Sequence, residues 1–177
     1  FRLPQLDEHI DMGSGATSIG DYFTNMLDPS MNWDDVAEMV KFWDGQFCLK
    51  GIMSREDARR TVEIGCTGII ISNHGGRQLD GSRSSFDQLA EIVDEVGDEI
   101  DVIFDSGVQR GTHVLKALSL GAKAVGIGRM YLYPLAAAGQ PGVERALGLM
   151  KAELERDMKL MGKTSIDQLS PENLRFR

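Results

Sequence analysis

The sequence predicts an α/β fold built on a parallel sheet, and three observations carry that prediction. Apolar runs at 47–52, 67–72, 101–104 and 122–126 are each four to six residues long, as buried parallel strands are. Stretches of helical period separate them, which is βαβ logic. Glycines and charged residues collect just past each run, at Lys50-Gly51, His74-Gly75-Gly76-Arg77, Asp105-Ser106-Gly107 and Gly128-Arg129. Both (β/α)8 barrels and open doubly wound sheets place their sites at that carboxyl edge, so the pattern alone leaves both architectures open.

The elements follow in order. Residues 1–32 carry no sustained period and read as a loop or insertion, with a weak helical piece at 19–27 stopped by Asp28-Pro29. Val36, Met39, Val40 and Trp43 mark one helical face, Asp34 and Asp35 favour its start, and Gly45 can close it. After the 47–52 strand, Ser54 caps a helix that ends near Gly65. The 67–72 strand is followed by a helix over 85–96, with Ser85 and Gln88 as a capping box and Gly97 at its end. Beyond the 101–104 strand, Thr112 caps a helix closed by Gly121. After the last strand, Pro141 opens a long amphipathic helix to Gly162, whose methionines read as core filler. The tail holds one helical turn at 166–169.

Composition bounds the function. A chain of 177 residues suits one domain, and 42% apolar with 26% charged residues is ordinary for a globular protein. The net charge of −8 argues against a nucleic-acid surface. Cys48 and Cys66 read as buried thiols in a reducing compartment, hence a cytoplasmic setting. No apolar run reaches the roughly 18 residues of a membrane-spanning helix, and no signal peptide is visible. The chain opens on Phe1 rather than Met, which suggests a segment of a longer parent.

The chemistry concentrates at 70–80. The strand formers Gly68-Ile69-Ile70-Ile71 run directly into Ser72-Asn73-His74-Gly75-Gly76-Arg77-Gln78-Leu79-Asp80. Histidine titrates near neutrality and suits proton transfer. Arginine is a bidentate clamp for carboxylate or phosphate, and paired glycines let backbone approach a ligand. Downstream, the glycines of 105–111 and 128–129 fit a phosphate site at the last strands, with Arg129 adding charge. Lys50 closes a strand read as buried, where a lysine must be paired or functional. Asp80 reads as a loop-ordering residue, and His9 and His113 as solvated.

The nine residues from Ser72 to Asp80 resemble the signature of the FMN-dependent L-2-hydroxy acid oxidases and dehydrogenases. The resemblance runs from about Asp28 to about Leu174 and implies a (β/α)8 TIM barrel. This chain would carry about its last four βα units, with 1–32 a loop region and 33–177 the carboxyl-terminal half of the FMN-binding barrel. It implies FMN as cofactor, His74 as catalytic base, and Arg77 as the clamp on the carboxylate of a small 2-hydroxy acid. It places Lys50 and Ser72 at the flavin ring and Asp105 at the ribityl chain. The phosphate falls to Ser106, Gly107, Val108, Gln109, Arg110, Gly128 and Arg129. Many relatives carry arginine where this chain has Gln109. An Asp paired with the histidine, substrate-side tyrosines and a second arginine would belong to a leading half.

Asp28-Pro29-Ser30, Trp33 and Phe42-Trp43-Asp44-Gly45 look most like the bacterial L-lactate dehydrogenases, which makes lactate the first substrate to test. Those relatives pass electrons to the respiratory chain and associate with membranes peripherally, and barrels of this family are commonly tetrameric. Two other readings stay open. One is a phosphate-binding barrel of the IMP dehydrogenase type, which needs a catalytic cysteine at a strand's carboxyl end, where neither Cys48 nor Cys66 stands. The other is a flavin-binding half-barrel without turnover.

Overall fold

The computed structural model describes residue 24 and residues 26–175. The expected loop at 1–32 and helical piece at 19–27 lie largely outside the described residues. Two compact units are distinguished, Phe1–Met39 and Val40–Arg177. Within the first, Ser30 turns back on Asp28, donating both its N–H and its hydroxyl to Oδ1. Asn32 then starts helix α1 (Trp33–Trp43): its Oδ1 accepts from Asp34 N–H, and its own N–H donates to Asp35 Oδ2. The helix closes not at Gly45 but at Asp44, which takes φ 49°.

The second unit holds a four-stranded, all-parallel sheet of β1 (Cys48–Lys50), β2 (Gly68–Ile71), β3 (Asp101–Phe104) and β4 (Ala124–Val125). The strand order is β1-β2-β3-β4. A doubly wound sheet reverses its order at a switch point. This one runs in sequence order without reversal, as consecutive units of a (β/α)8 barrel do, so the barrel reading stands. Each strand feeds a helix: α2 (Arg55–Ile64), α3 (Ser85–Val96), α4 (Gly111–Ser119) and α5 (Arg129–Leu160). Two 3-10 turns, Ile166–Gln168 and Pro171–Asn173, complete the described chain. Among the described residues no helix is long and apolar enough to cross a membrane.

The core lies along the two central strands. Ile69 and Ile71 of β2, Val102 and Phe104 of β3, and Leu89, Ile92 and Val96 of α3 are all buried. Among the described residues the edge strand β1 has no neighbour on its outer side, and its pattern is exposed, half-buried, exposed. That corrects two expectations: Cys48 is an exposed thiol, and Lys50 is not buried, its side chain 43% exposed. Cys66 is buried as expected, and burial pushes its thiol upward in pKa.

Local chemistry explains most boundaries. Ser54 caps α2 by accepting from Asp57 N–H, and Gly65 closes it at φ 95°. Three further boundaries differ from the sequence reading. Helix α3 is capped by Ser84, which accepts from Phe86 N–H; Ser85 is buried and serves the β2 loop instead. Thr112 does not cap α4. The Gly111 N–H is satisfied by Glu153 Oε2 at 2.7 Å, from a helix far along the chain. A Cβ on Gly111 would sit 2.5 Å from Leu154 N, so the close approach of α4 and α5 requires glycine. Finally, α5 begins at Arg129, not Pro141. It is two helices joined at a kink where Ala138 and Gly139 leave helical geometry, with Gly139 at φ 62°. Of its expected apolar face, Met158 is buried but Leu147 is exposed.

Candidate functional site

Four strand ends open toward one cavity of about 300 Å³. It is lined by Lys50 after β1, by His74, Gly75 and Arg77 after β2, by Asp105–Gln109 after β3, and by Gly128–Leu132 at the start of α5. Ten of the twelve residues expected from sequence line it: Lys50, His74, Arg77, Asp105, Ser106, Gly107, Val108, Gln109, Gly128 and Arg129. Ser72 is buried behind the wall. Arg110 stands elsewhere, its guanidinium engaged by Glu153 beside a second cavity of about 570 Å³. Hydrogen bonding from Arg110 holds the Glu153 carboxyl below its ordinary pKa.

One wall is an ordered polar network. Lys50 Nζ donates to Ser72 Oγ at 2.8 Å and lies 3.2 Å from Asp105 Oδ2. Ser72 Oγ in turn donates to Asp105 Oδ2 at 3.1 Å and accepts from His74 N–H at 3.2 Å. The hydroxyl thus uses one donor and two acceptor positions, its full capacity. Asp105 Oδ1 also accepts from Ser106 N–H. A lysine, a serine and an aspartate from three adjacent strands are locked together, with the ammonium and one carboxylate facing the cavity.

The β2 loop is fastened above this network. His74 sits at φ 57°, Gly75 at 69° and Gly76 at 72°. Histidine is among the few non-glycine residues that tolerate this left-handed region. Ser106, itself at φ 91°, accepts from Asn73 N–H and Gly75 N–H at 3.2 and 3.1 Å. Arg129 Nη2 donates to Gly75 O at 2.6 Å. A Cβ on Gly75 would lie 2.7 Å from that nitrogen, so glycine is what lets the guanidinium close on the loop. His74 and Arg77 are exposed on the cavity side.

Other expectations resolve as follows. Asp80 accepts from Gly81 N–H, a local turn contact. His113 is half-buried rather than solvated, its Nδ1 accepting from Gln109 N–H at 3.3 Å. His9 lies outside the described residues. Sequence reading missed Asn73, whose side chain spans the β2 loop, and Met130–Leu132, which line the cavity from the start of α5. Pro134 lies inside that helix and Gly139 at its kink, so no unbroken helical period marks it.

The donor set tests what could bind. A cavity with an ammonium at one strand end, an arginine and glycine-rich backbone at the other, and a carboxylate between them fits an elongated ligand carrying a phosphate. Gly107 and Gly128 have open space where a Cβ would stand, so backbone can come close to such a group. Among the described residues no cluster of His, Cys, Asp and Glu could hold a metal ion. By their chemistry the residues present fit a phosphate-bearing cofactor such as FMN.

The family model for FMN-dependent dehydrogenases matches residues 4–176. The L-lactate dehydrogenase (cytochrome) of Wickerhamomyces anomalus is 41% identical over 176 residues, covering 97% of this chain and 30% of that protein. The solved structure of the monotopic membrane protein (S)-mandelate dehydrogenase is similar with a TM-score of 0.84 and 40% identity, covering 93% of this chain and 44% of that one. The recombinant flavin-binding domain of baker's yeast flavocytochrome b2 is similar with a TM-score of 0.78 and 45% identity, covering 82% of this chain and 38% of that one. The chain spans less than half the length of each.

Proposed function

The chain belongs to the FMN-dependent dehydrogenase family, and from that premise we propose that it supplies the base, the carboxylate clamp and the phosphate end of a site that oxidises an L-2-hydroxy acid, lactate first, to the 2-keto acid. One observation carries the reading: His74 and Arg77, three residues apart on one loop, line the same cavity as Lys50, Asp105 and Arg129. FMN, when bound, supplies the acceptor for the two electrons.

The residues divide the work. Arg77 holds the substrate carboxylate and so fixes the hydroxyl-bearing carbon relative to His74. His74 takes a proton from the substrate as it is oxidised. Lys50, held by Ser72 and Asp105, presents a fixed positive charge at the ring end, where negative charge develops. The hydrogen-bonded Ser72 and Asp105 keep it aimed there without a search over rotamers. At the other end Arg129 and the backbone of 106–109 and 128 grip phosphate, while Arg110 is committed to Glu153 outside the cavity.

Spectroscopy tests this directly. Protein reconstituted with FMN should show bound-flavin bands that bleach anaerobically on addition of L-lactate. Protein that retains no FMN would refute the reading. His74→Gln should keep the flavin and lose about 10²- to 10⁴-fold in bleaching rate, the usual range for a general base; rapid bleaching would remove His74 from the role.

A further inference from the structure

The β2 loop from His74 to Arg83 is exposed and contains Gly75, Gly76 and Gly81, all at positive φ. Such a segment has many conformations in the unfolded chain and few apolar contacts to select one. Something at its ends must fix it. The carboxamide of Asn73 touches both limbs. Its Oδ1 accepts from Gly76 N–H at 3.2 Å, and its Nδ2 donates to Arg83 O at 3.3 Å. Oxygen meets a donor and nitrogen meets a carbonyl, so both ends of the amide are satisfied. The Asn73 backbone is anchored below, its N–H shared between Ser85 Oγ at 3.1 Å and Ser106 Oγ at 3.2 Å.

The two candidate functional groups on this loop are held differently. His74 is flanked by fastenings independent of the carboxamide: Ser72 Oγ on its own N–H, and Ser106 and Arg129 on the Gly75 peptide. Arg77 follows Gly76, and Gly76 N–H is held by Asn73 through both Oδ1 and the backbone carbonyl. The limb that carries Arg77 is the one that the Asn73 side chain closes against Arg83.

We infer that Asn73 is a positioning residue for the substrate carboxylate: its side chain ties the Arg77 limb to the limb that returns to α3. It touches no substrate and acts through Arg77. The inference rests on the proposed role of Arg77, and it makes a split in kinetic constants that a general loss of structure does not. With Asn73→Ala in the FMN-loaded full chain, KM for L-lactate should rise about tenfold, the scale of losing a well-aimed charged hydrogen bond, and inhibition by pyruvate should weaken equally. The maximal rate should change less than about threefold, because His74 keeps its own fastenings. Asn73→Ser, whose hydroxyl can still form the short turn bond to Gly76 but cannot span to Arg83, should recover part of the lost affinity. Amide hydrogen exchange across 74–83, read without substrate, should quicken in the alanine variant.

A KM within twofold of the unsubstituted protein, or an unaltered exchange pattern, overturns the inference. So does a parallel fall in rate, flavin retention and thermal midpoint, which would make Asn73 a plain structural residue. If the unsubstituted protein binds FMN but is not bleached by L-lactate, the proposed function fails; the exchange comparison then decides on its own whether the carboxamide closes the loop.

Discussion

The two central strands and the two edge strands of the sheet do different things at their carboxyl ends. β2 and β3 are buried, and the first two residues past each are neutral or acidic groups tied into a network, Ser72, Asn73, Asp105 and Ser106, with the exposed His74 and Arg77 further out on the β2 loop. β1 and β4 flank them: β1 ends on a cation and α5 opens on one just past β4, both reaching inward, Lys50 to Asp105 and Ser72, Arg129 to Gly75. A buried strand end has little water to satisfy its polar groups, so they satisfy one another and become rigid. An edge retains water, and a charge there costs little to hold. The contrast teaches that the centre of the sheet supplies the fixed polar network, while the cations that face the cavity stand at the edges and, as Arg77, further out on the β2 loop.

The sharpest way to break this contrast is to truncate matched positions. Ile69 of β2 lies beside Leu49 of β1 in the ladder. Ile69 is fully buried and Leu49 half-buried. Ile69→Ala should cost about 2–5 kcal/mol in urea unfolding, and Leu49→Ala clearly less, about 1 kcal/mol. Equal losses would mean that the edge is as much core as the centre.

A smaller effect should come from Gly75→Ala, where a central loop meets an edge cation. A side chain at φ 69° costs about 1–2 kcal/mol, and its Cβ must push Arg129 off the Gly75 carbonyl. Stability should fall by that amount and FMN affinity should change with it, as read by urea unfolding and by flavin titration; a neutral substitution would show that the arginine does not depend on the loop.

The smallest effect lies on the helices. Glu95 of α3 is held by Arg55 and Arg59 of α2. Hydrogen bonds from Arg55, then Arg59, lower its pKa from the ordinary 4.5. A carboxylate with a lowered folded-state pKa stabilises above the unfolded value and loses that contribution as pH falls through the folded one. The thermal midpoint should therefore decline below about pH 4.5, and Glu95→Gln should flatten that decline while leaving the cavity untouched. An unchanged pH profile in the variant would show that the pair does nothing measurable, as many exposed pairs do not.

What could be read from sequence depended on how local its cause was. Ser54 and Gly65 announce a helix and its end because the bonds they make lie within a few residues. That His74, Arg77, Asp105 and Arg129 line one cavity was legible because strand ends in this architecture converge. Thr112 misled because the acceptor for the start of α4 is Glu153, 42 residues on from Gly111. Ser84 and Ser85 were indistinguishable until the β2 loop claimed one of them. The exposure of Lys50 follows from which strand forms the edge, which no single strand's composition records. Asn73 escaped notice because its second partner, Arg83, stands ten residues on, across a loop with no period to follow.

The sequential strand order has one more consequence. Since each strand pairs only with its neighbours in the chain, each βα unit brings its own side chains to the shared cavity: Lys50, then His74 and Arg77, then Asp105, then Arg129. Yet Ser72 joins Lys50 to Asp105, and Arg129 holds Gly75, so a change in one loop is felt by the units beside it. A new side chain at one strand end therefore has to suit its neighbours as well as any ligand.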